Sequence, residues 1–476
     1  MAHVTRTPSA TPAAGAVPTP DQNPDFPRPL GTLDVQSGAL TPPEGRTQWA
    51  FGWAKRVAEF GIVQCWVQLF TGIAGILIVR TMAKDQYALY AIVNQMQTTC
   101  NLLADLGIGI GVRSIGSRVW QSRLRFGELL NAALALRRWF ALLSITCCLP
   151  YAAWMLSKNG ASGASIALLC GLIVVSVLPQ LSATVLTIVP QLHGEYRRIQ
   201  MLDFGNSALR LSMIAGLTIT HMNALLASAV GTINNYVQLF VTRRWARDHA
   251  EPTASPSVTD RGELIRLSLR TLPNILFFCF QGQITLLIFT FAGNSPAIAD
   301  VTALGRLAML LTPLSAAFIN VLVPRFASCQ DPKRLPRLYM LLLGASAAAL
   351  TPILLAGLFA PGPLLWLLGS KYATLKNECG LVVATACVSQ LVHLMHSLNT
   401  SKAWIRTLTA GWIPLTVAVQ LVAAFALDLK TFDNVLVFQL VSAATPLPLL
   451  CWDAIDGCRY PSRRRPSSKS PRTAAP

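Results

Sequence analysis

The sequence predicts an all-α, polytopic membrane protein of about twelve transmembrane helices in two six-helix halves, and three observations carry that prediction. Of its 476 residues, 53% are hydrophobic and 13% charged, with a mean hydropathy of +0.47. Soluble domains carry about 25% charged residues. Apolar runs of about 20 residues, the length a helix needs to cross the hydrocarbon core, recur from residue 57 to residue 452. The net charge is +18, yet Lys and Arg sit in short clusters between the apolar runs. That pattern argues against a nucleic-acid-binding face and for the positive-inside rule.

The elements follow in order. Residues 1–50 are rich in Pro, Ala, Thr and Gly and have no signal-peptide core, so they read as a disordered cytoplasmic tail. Spans are expected near 57–80, 86–110, 132–156, 163–190, 201–221 and 223–242, within a first half at 51–242. A cytoplasmic linker at 243–264 leads to a second half at 265–455. Its spans lie near 265–292, 297–323, 337–360, 377–400, 404–427 and 432–452. A basic cytoplasmic tail, 456–476, follows. With the N-terminus inside, 29 of the 39 Lys and Arg fall on inner segments and 6 on outer ones, which predicts both termini in the cytoplasm. Pro150, Pro179, Pro273, Pro313, Pro352, Pro414 and Pro446 interrupt spans and favour kinks. A weak echo relates the segment from Tyr87 to the segment from Ile298, as in transporters built from two repeats.

Absences narrow the chemistry. Most of the 11 cysteines lie in apolar runs and none forms a CxxC, so they read as small hydrophobes rather than as ligands or a disulfide framework. No phosphate-binding GxxxxGK[ST] loop occurs. No outer segment is long enough for a catalytic domain. The expectation is a protein that is not an enzyme and uses no cofactor.

Polar residues at helical spacing mark one face of several spans. Gln64 and Gln68 lie in the first, Asn94, Thr98 and Asn101 in the second, and Gln281 in the seventh. They either bond between helices or line a cavity. Arg210 and Arg306 each lie near mid-span, where a cation is costly by at least about 2.5 kcal/mol. They are either structural ion pairs, with Asp203 or Asp105, or an anion site, since a guanidinium forks onto phosphate. Glu59 and Asp105 could pair with Arg56 and Arg113. Asp105, His393 and His396 could titrate in ion coupling or serve packing.

Four segments resemble the polysaccharide repeat-unit flippases of the MATE-like MOP exporter superfamily. They are "QLFTGIAGILIVRTMAKDQYALYAIV" (68–93), "LLADLGIGIGVRSIGSR" (102–118), "VLVPRFAS" (321–328) and "LLGSKYA" (367–373). The resemblance spans about residues 55–450 and rests on the order of short motifs. It implies a MOP/MATE-like fold in the bacterial cytoplasmic membrane and alternating access. It also implies transfer of an undecaprenyl-diphosphate-linked oligosaccharide to the outer leaflet, for O-antigen, capsule or exopolysaccharide. The cavity would be lined by helices 1, 2, 7 and 8. On that reading Arg210 and Arg306 hold the diphosphate, and Gln64, Gln68, Asn94, Thr98, Asn101 and Gln281 meet the sugar. Partners would be the lipid-linked oligosaccharide, membrane lipids and other polysaccharide assembly proteins, with no nucleic acid. Competing readings are a drug/cation antiporter, which would favour central carboxylates, a flippase of peptidoglycan precursors, and a membrane glycan polymerase or ligase, which would need a large outer loop.

Overall fold

The computed structural model describes residues 46–459, apart from 220–221, 292–294, 319–321, 330, 332, 403 and 430, with side chains from Ile62 onward except at 295, 310, 313, 316–317, 324–325, 328, 406 and 408–410. The expected N-terminal tail, the C-terminal tail beyond Arg459, and Glu59 with Arg56 lie outside the described side chains, whereas residues 456–459 complete α18. Residues 1–56 and 57–476 form two units, and the second holds the helical bundle.

Among the described residues all regular structure is helical. The first half contains α1 (Arg46–Thr81), α2 (Lys84–Asp105), α3 (Ile108–Val119), α4 (Arg123–Lys158), α5 (Gly163–Leu186), α6 (Ile188–Leu192), α7 (Tyr196–Leu217) and α8 (Ala224–His249). The second contains α9 (Val258–Phe291), α10 (Ser295–Gly305), a 3-10 stretch (Arg306–Leu311), α11 (Thr312–Ala317) and α12 (Val323–Ser328). It continues with α13 (Leu335–Phe359), α14 (Pro361–Leu368), α15 (Lys376–Ser401), α16 (Arg406–Ala426), α17 (Phe432–Ala444) and α18 (Leu447–Arg459). In their described residues, the expected spans all fall on these helices. Eight helices are long and apolar enough to cross a membrane, and Gly411–Ala426 is a shorter apolar one. The expected spans that fall short of that standard are α2, α7 and the broken run α10–α11. Two of them, α2 and α7, and the break that follows α10 carry the tyrosines and arginines of the candidate site.

Three boundaries differ from the sequence reading, each for a local reason. The second span was expected to continue to residue 110, but α2 stops at Asp105. Leu106 and Gly107 both take left-handed backbone, at φ 39° and 77°, and α3 starts on a new axis. The Thr271 hydroxyl from α9 donates to the Leu106 carbonyl at 3.0 Å. A Cβ on Gly107 would come within 2.6 Å of that hydroxyl oxygen, so both φ and contact require glycine there. The eighth span breaks after Gly305 into the 3-10 stretch that begins with Arg306. The linker is shorter than 243–264, because α8 runs to His249 and α9 starts at Val258. Ala and Arg support helix well beyond the apolar run. The short remainder is tied to α4, where Asn131 donates to the carbonyls of Pro252 and Ala254 at 3.1 and 2.7 Å.

Helix α2 is central. It packs against α4, α5 and α8 of the first half and against α9 and α10 of the second. The segments that echo each other in sequence thus lie side by side on α2 and α10. At the end bearing the α1–α2 turn, one hydrophobic core includes residues of both halves, from Ile78 and Tyr87 to Leu365 and Tyr372. Lys84 pairs with Asp300 at 2.8 Å there, and Lys371 donates to the carbonyls of Arg80 and Met82 at 3.2 and 2.9 Å. At the opposite, arginine-rich end the packing divides. One core holds α3, α4 and α8 residues with Leu264 of α9. Another, around Phe326, Tyr339 and Trp404, draws only on second-half residues.

Candidate functional site

The site is built on one face of α2, where Tyr87, Tyr90, Asn94, Thr98 and Asn101 recur at three- and four-residue spacing. Tyr87 and Tyr90 are buried, with ring centroids 6.1 Å apart. Each phenol accepts from an arginine of a different half. Arg210 of α7 donates to the Tyr90 hydroxyl at 3.3 Å. Arg306, at the break after α10, donates to the Tyr87 hydroxyl at 3.4 Å and lies beside Tyr90 as well. Helix α1 approaches closely here, since a Cβ on Gly75 would sit 3.5 Å from an Arg306 guanidinium nitrogen.

Among the described residues neither guanidinium has a carboxylate within ion-pair distance. The carboxylates expected as structural partners are elsewhere. Asp105 pairs with the buried Arg137 of α4, which also donates to the Leu181 carbonyl at 2.6 Å. Arg113, the other expected partner of Asp105, instead donates to the Gln191 carboxamide at 3.3 Å. Asp203 makes no ion pair among the described residues. Two cations thus meet on neutral phenol acceptors, which satisfy hydrogen bonds without offsetting charge. The arrangement favours an added anion.

Beside the arginines a cleft of about 580 Å³ opens between α2, α5, α7 and α8. Asn94, Gln97, Thr98 and Asn101 form its α2 wall, with Arg210 at one side. Gln180 of α5 and Asn234 and Asn235 of α8 face them. Gln180 accepts from Asn101 at 2.6 Å and from Asn235 at 3.4 Å, and Gln97 donates to Ser176 at 2.9 Å. Carboxamides donate and accept without net charge, so this wall suits a ligand dense in hydroxyl or amide groups.

Of the residues singled out in the sequence, Arg210, Asn94, Thr98 and Asn101 line this cleft, and Arg306 sits at the adjoining phenols. Gln64 and Gln68 lie about three and two turns before Gly75 on the same face of α1. Gln281 faces elsewhere. It forms a reciprocal carboxamide pair with Gln420 of α16 at 2.8 and 2.7 Å, and Gln420 also donates to Ser442 at 3.2 Å. His393 lines a separate cavity in the second half with Ser315, Ser346 and Gln390. His396 lies one turn along on α15 and is exposed. Sequence reasoning missed Gln180, Ser228, Asn234 and Asn235. The paired asparagines at the middle of an expected span, and a glutamine directly after Pro179, were the available signals.

No protein-family model and no curated protein matches this chain. Solved structures do. A multidrug resistance MATE family transporter of the MOP superfamily, in an inward-facing conformation, is 16% identical, with a TM-score of 0.61 over 84% of this chain and 99% of that one. The lipid II flippase MurJ, in an inward closed conformation, is 10% identical, with a TM-score of 0.61 over 84% and 87%. The eukaryotic MATE transporter AtDTX14 is 11% identical, with a TM-score of 0.55 over 85% and 97%. At these identities the likeness is one of fold, and the chain has the all-α fold that these proteins share.

Proposed function

We propose that this protein is a transporter that moves an undecaprenyl-diphosphate-linked oligosaccharide from the inner to the outer leaflet of the bacterial cytoplasmic membrane, for polysaccharide biosynthesis. The observation that carries the reading is the convergence of Arg210 and Arg306, one from each half, on Tyr87 and Tyr90, with no carboxylate among the described residues to neutralise them. Guanidinium stays charged at every relevant pH and binds phosphate oxygens in a fork. Held between two halves, such an anion site can be exposed to either side in turn. A drug/cation antiporter is disfavoured because a cationic substrate would meet two cations. The lipid II flippase has the same fold, so the fold is compatible with lipid flipping.

In this reading the arginine-rich end and both termini face the cytoplasm, following the charge asymmetry. Asn94, Thr98 and Asn101 meet sugar, while Gln64 and Gln68 extend the polar face of α1. Gln281 belongs with them only if its pair with Gln420 opens during the cycle. Asp105, His393 and His396 are the groups through which proton coupling would run, and transport that survives collapse of the ion gradients would remove them from the mechanism. The test of the function is surface polysaccharide restored in a strain lacking its flippase, with membrane abundance measured alongside. Arg210→Ala and Arg306→Ala should each abolish restoration at normal abundance. Full restoration by both would overturn the proposal.

A further inference from the structure

We infer that the α2–α5–α8 cleft is a subsite for the first, uncharged sugar of a glycosyl diphosphate, reading the ring attached directly to the phosphate. The inference rests on the proposed anion site and adds a ligand class and residues to it.

The cleft holds polar groups that the fold leaves without partners. Ser228 of α8 is 5% exposed, lines the cleft, and its hydroxyl makes no hydrogen bond among the described residues. The side-chain carbonyl oxygens of Asn101 and Asn234, also in the cleft wall, are likewise buried without a donor. A buried polar atom without a partner costs about 1–3 kcal/mol. Three at one surface mark a place where a ligand completes the hydrogen bonding. All three can accept, and Ser228 can also donate, which matches the hydroxyls and acetamido N–H of a sugar.

Charge sets the class. Apart from Arg210 at its side, no ionisable side chain but the Tyr90 phenol lines the cleft. A ring bearing an amine or carboxylate would be desolvated there without an opposite charge at the far wall. A neutral hexose or N-acetylhexosamine meets no such cost.

Connectivity agrees with the geometry. In a glycosyl diphosphate the anomeric carbon is bonded to a phosphate oxygen, so anion and ring must occupy adjoining sites. Arg210 belongs to both, donating to Tyr90 while lining the cleft. The diphosphate at Arg210 and Arg306 thereby puts the first ring against Asn94 and Ser228, and later rings towards the opening. Selectivity would act on the first ring and leave the rest of the oligosaccharide unread.

The test uses the full chain in lipid nanodiscs and a family of short-chain prenyl diphosphates. One carries no sugar. The others carry a single glucose, galactose or N-acetylglucosamine. The wild type should bind at least one neutral glycosylated probe about tenfold or more tighter than the bare diphosphate. Asn234→Leu and Ser228→Val should erase that increment while leaving bare-diphosphate affinity and thermal stability unchanged. Arg210→Gln should weaken every probe, the bare one included. Equal wild-type affinity for bare and all glycosylated probes would overturn the subsite and leave the anion site standing. So would variants that keep the increment or lose the bare diphosphate too. Failure of the wild type to bind the bare diphosphate would instead overturn the anion site.

Discussion

The two halves of the bundle each hold a cavity, and the cavities differ in how their polar atoms are satisfied. In the first half, Ser228, Asn101 and Asn234 leave buried atoms without partners among the described residues, around a cleft of about 580 Å³. In the second half, Ser315 and Gln390 hydrogen-bond each other, and Leu314, Leu350 and Leu394 make up much of a wall around about 260 Å³. A polar face that bonds to itself holds helices together, and one with open valences is built for something else. The sequence echo between the halves therefore does not imply two equivalent sites. The proposed anion-binding pair joins the halves, since Arg306 comes from the second half but bonds to a tyrosine of the first.

The largest expected effect tests that join. Arg306→Ala should abolish transport and lower ligand affinity about 10- to 100-fold, the value of a hydrogen bond to a charged group, with Arg306→Lys in between because it keeps charge and loses the fork. A milder loss in Arg306→Ala than in Gln390→Leu would reverse the ranking of the two regions. Next comes stability rather than transport. Arg137→Met removes the buried partner of Asp105 and strands its carboxylate. Its cost should fall at the low end of the roughly 3–5 kcal/mol for breaking a buried pair, because Asp105 is 35% exposed. Membrane abundance and unfolding temperature should drop, and the Arg137→Met/Asp105→Asn double variant should recover part of the loss. Within the second half, Gln281→Leu should cost about 0.6–1.7 kcal/mol, as for other interhelical bonds. Per molecule in the membrane, it should leave transport within about twofold, well below the roughly 5-fold that a loss of about 1 kcal/mol in binding implies. A larger transport defect at unchanged stability would place Gln281 at the substrate after all. The smallest effect is expected from Gln390→Leu, which breaks a satisfied pair with Ser315 rather than a contact of either arginine.

Much of this contrast was legible in the sequence. The apolar runs located the eight helices long and apolar enough to cross a membrane, because a bilayer imposes one length on helices. Arg210 and Arg306 stood out because the same bilayer makes a mid-span cation costly. Helical periodicity correctly put Asn94, Thr98 and Asn101 on one face. It could not say what that face meets. Gln281 has the same local signature as Asn101, yet one pairs across to α16 and the other opens on the cleft. Facing helices decide this, and their register comes from tertiary packing. Asp105 shows the same limit: Arg113 is its neighbour in sequence, but Arg137 of α4 is its neighbour in space. The break at Arg306 was also hidden, since only Gly305 precedes it and no proline marks it.

The most direct measurement sets the anion and cation readings against each other in one preparation. Purified protein in proteoliposomes is given a fluorescent prenyl-diphosphate disaccharide, and in parallel ethidium, with flipping and dye movement followed by quenching. The arginine pair predicts that the diphosphate lipid is flipped, that Arg210→Ala and Arg306→Ala each abolish flipping while reconstituting normally, and that ethidium does not move. Ethidium transport by the wild type, or diphosphate-lipid flipping undiminished in both arginine variants, would contradict it.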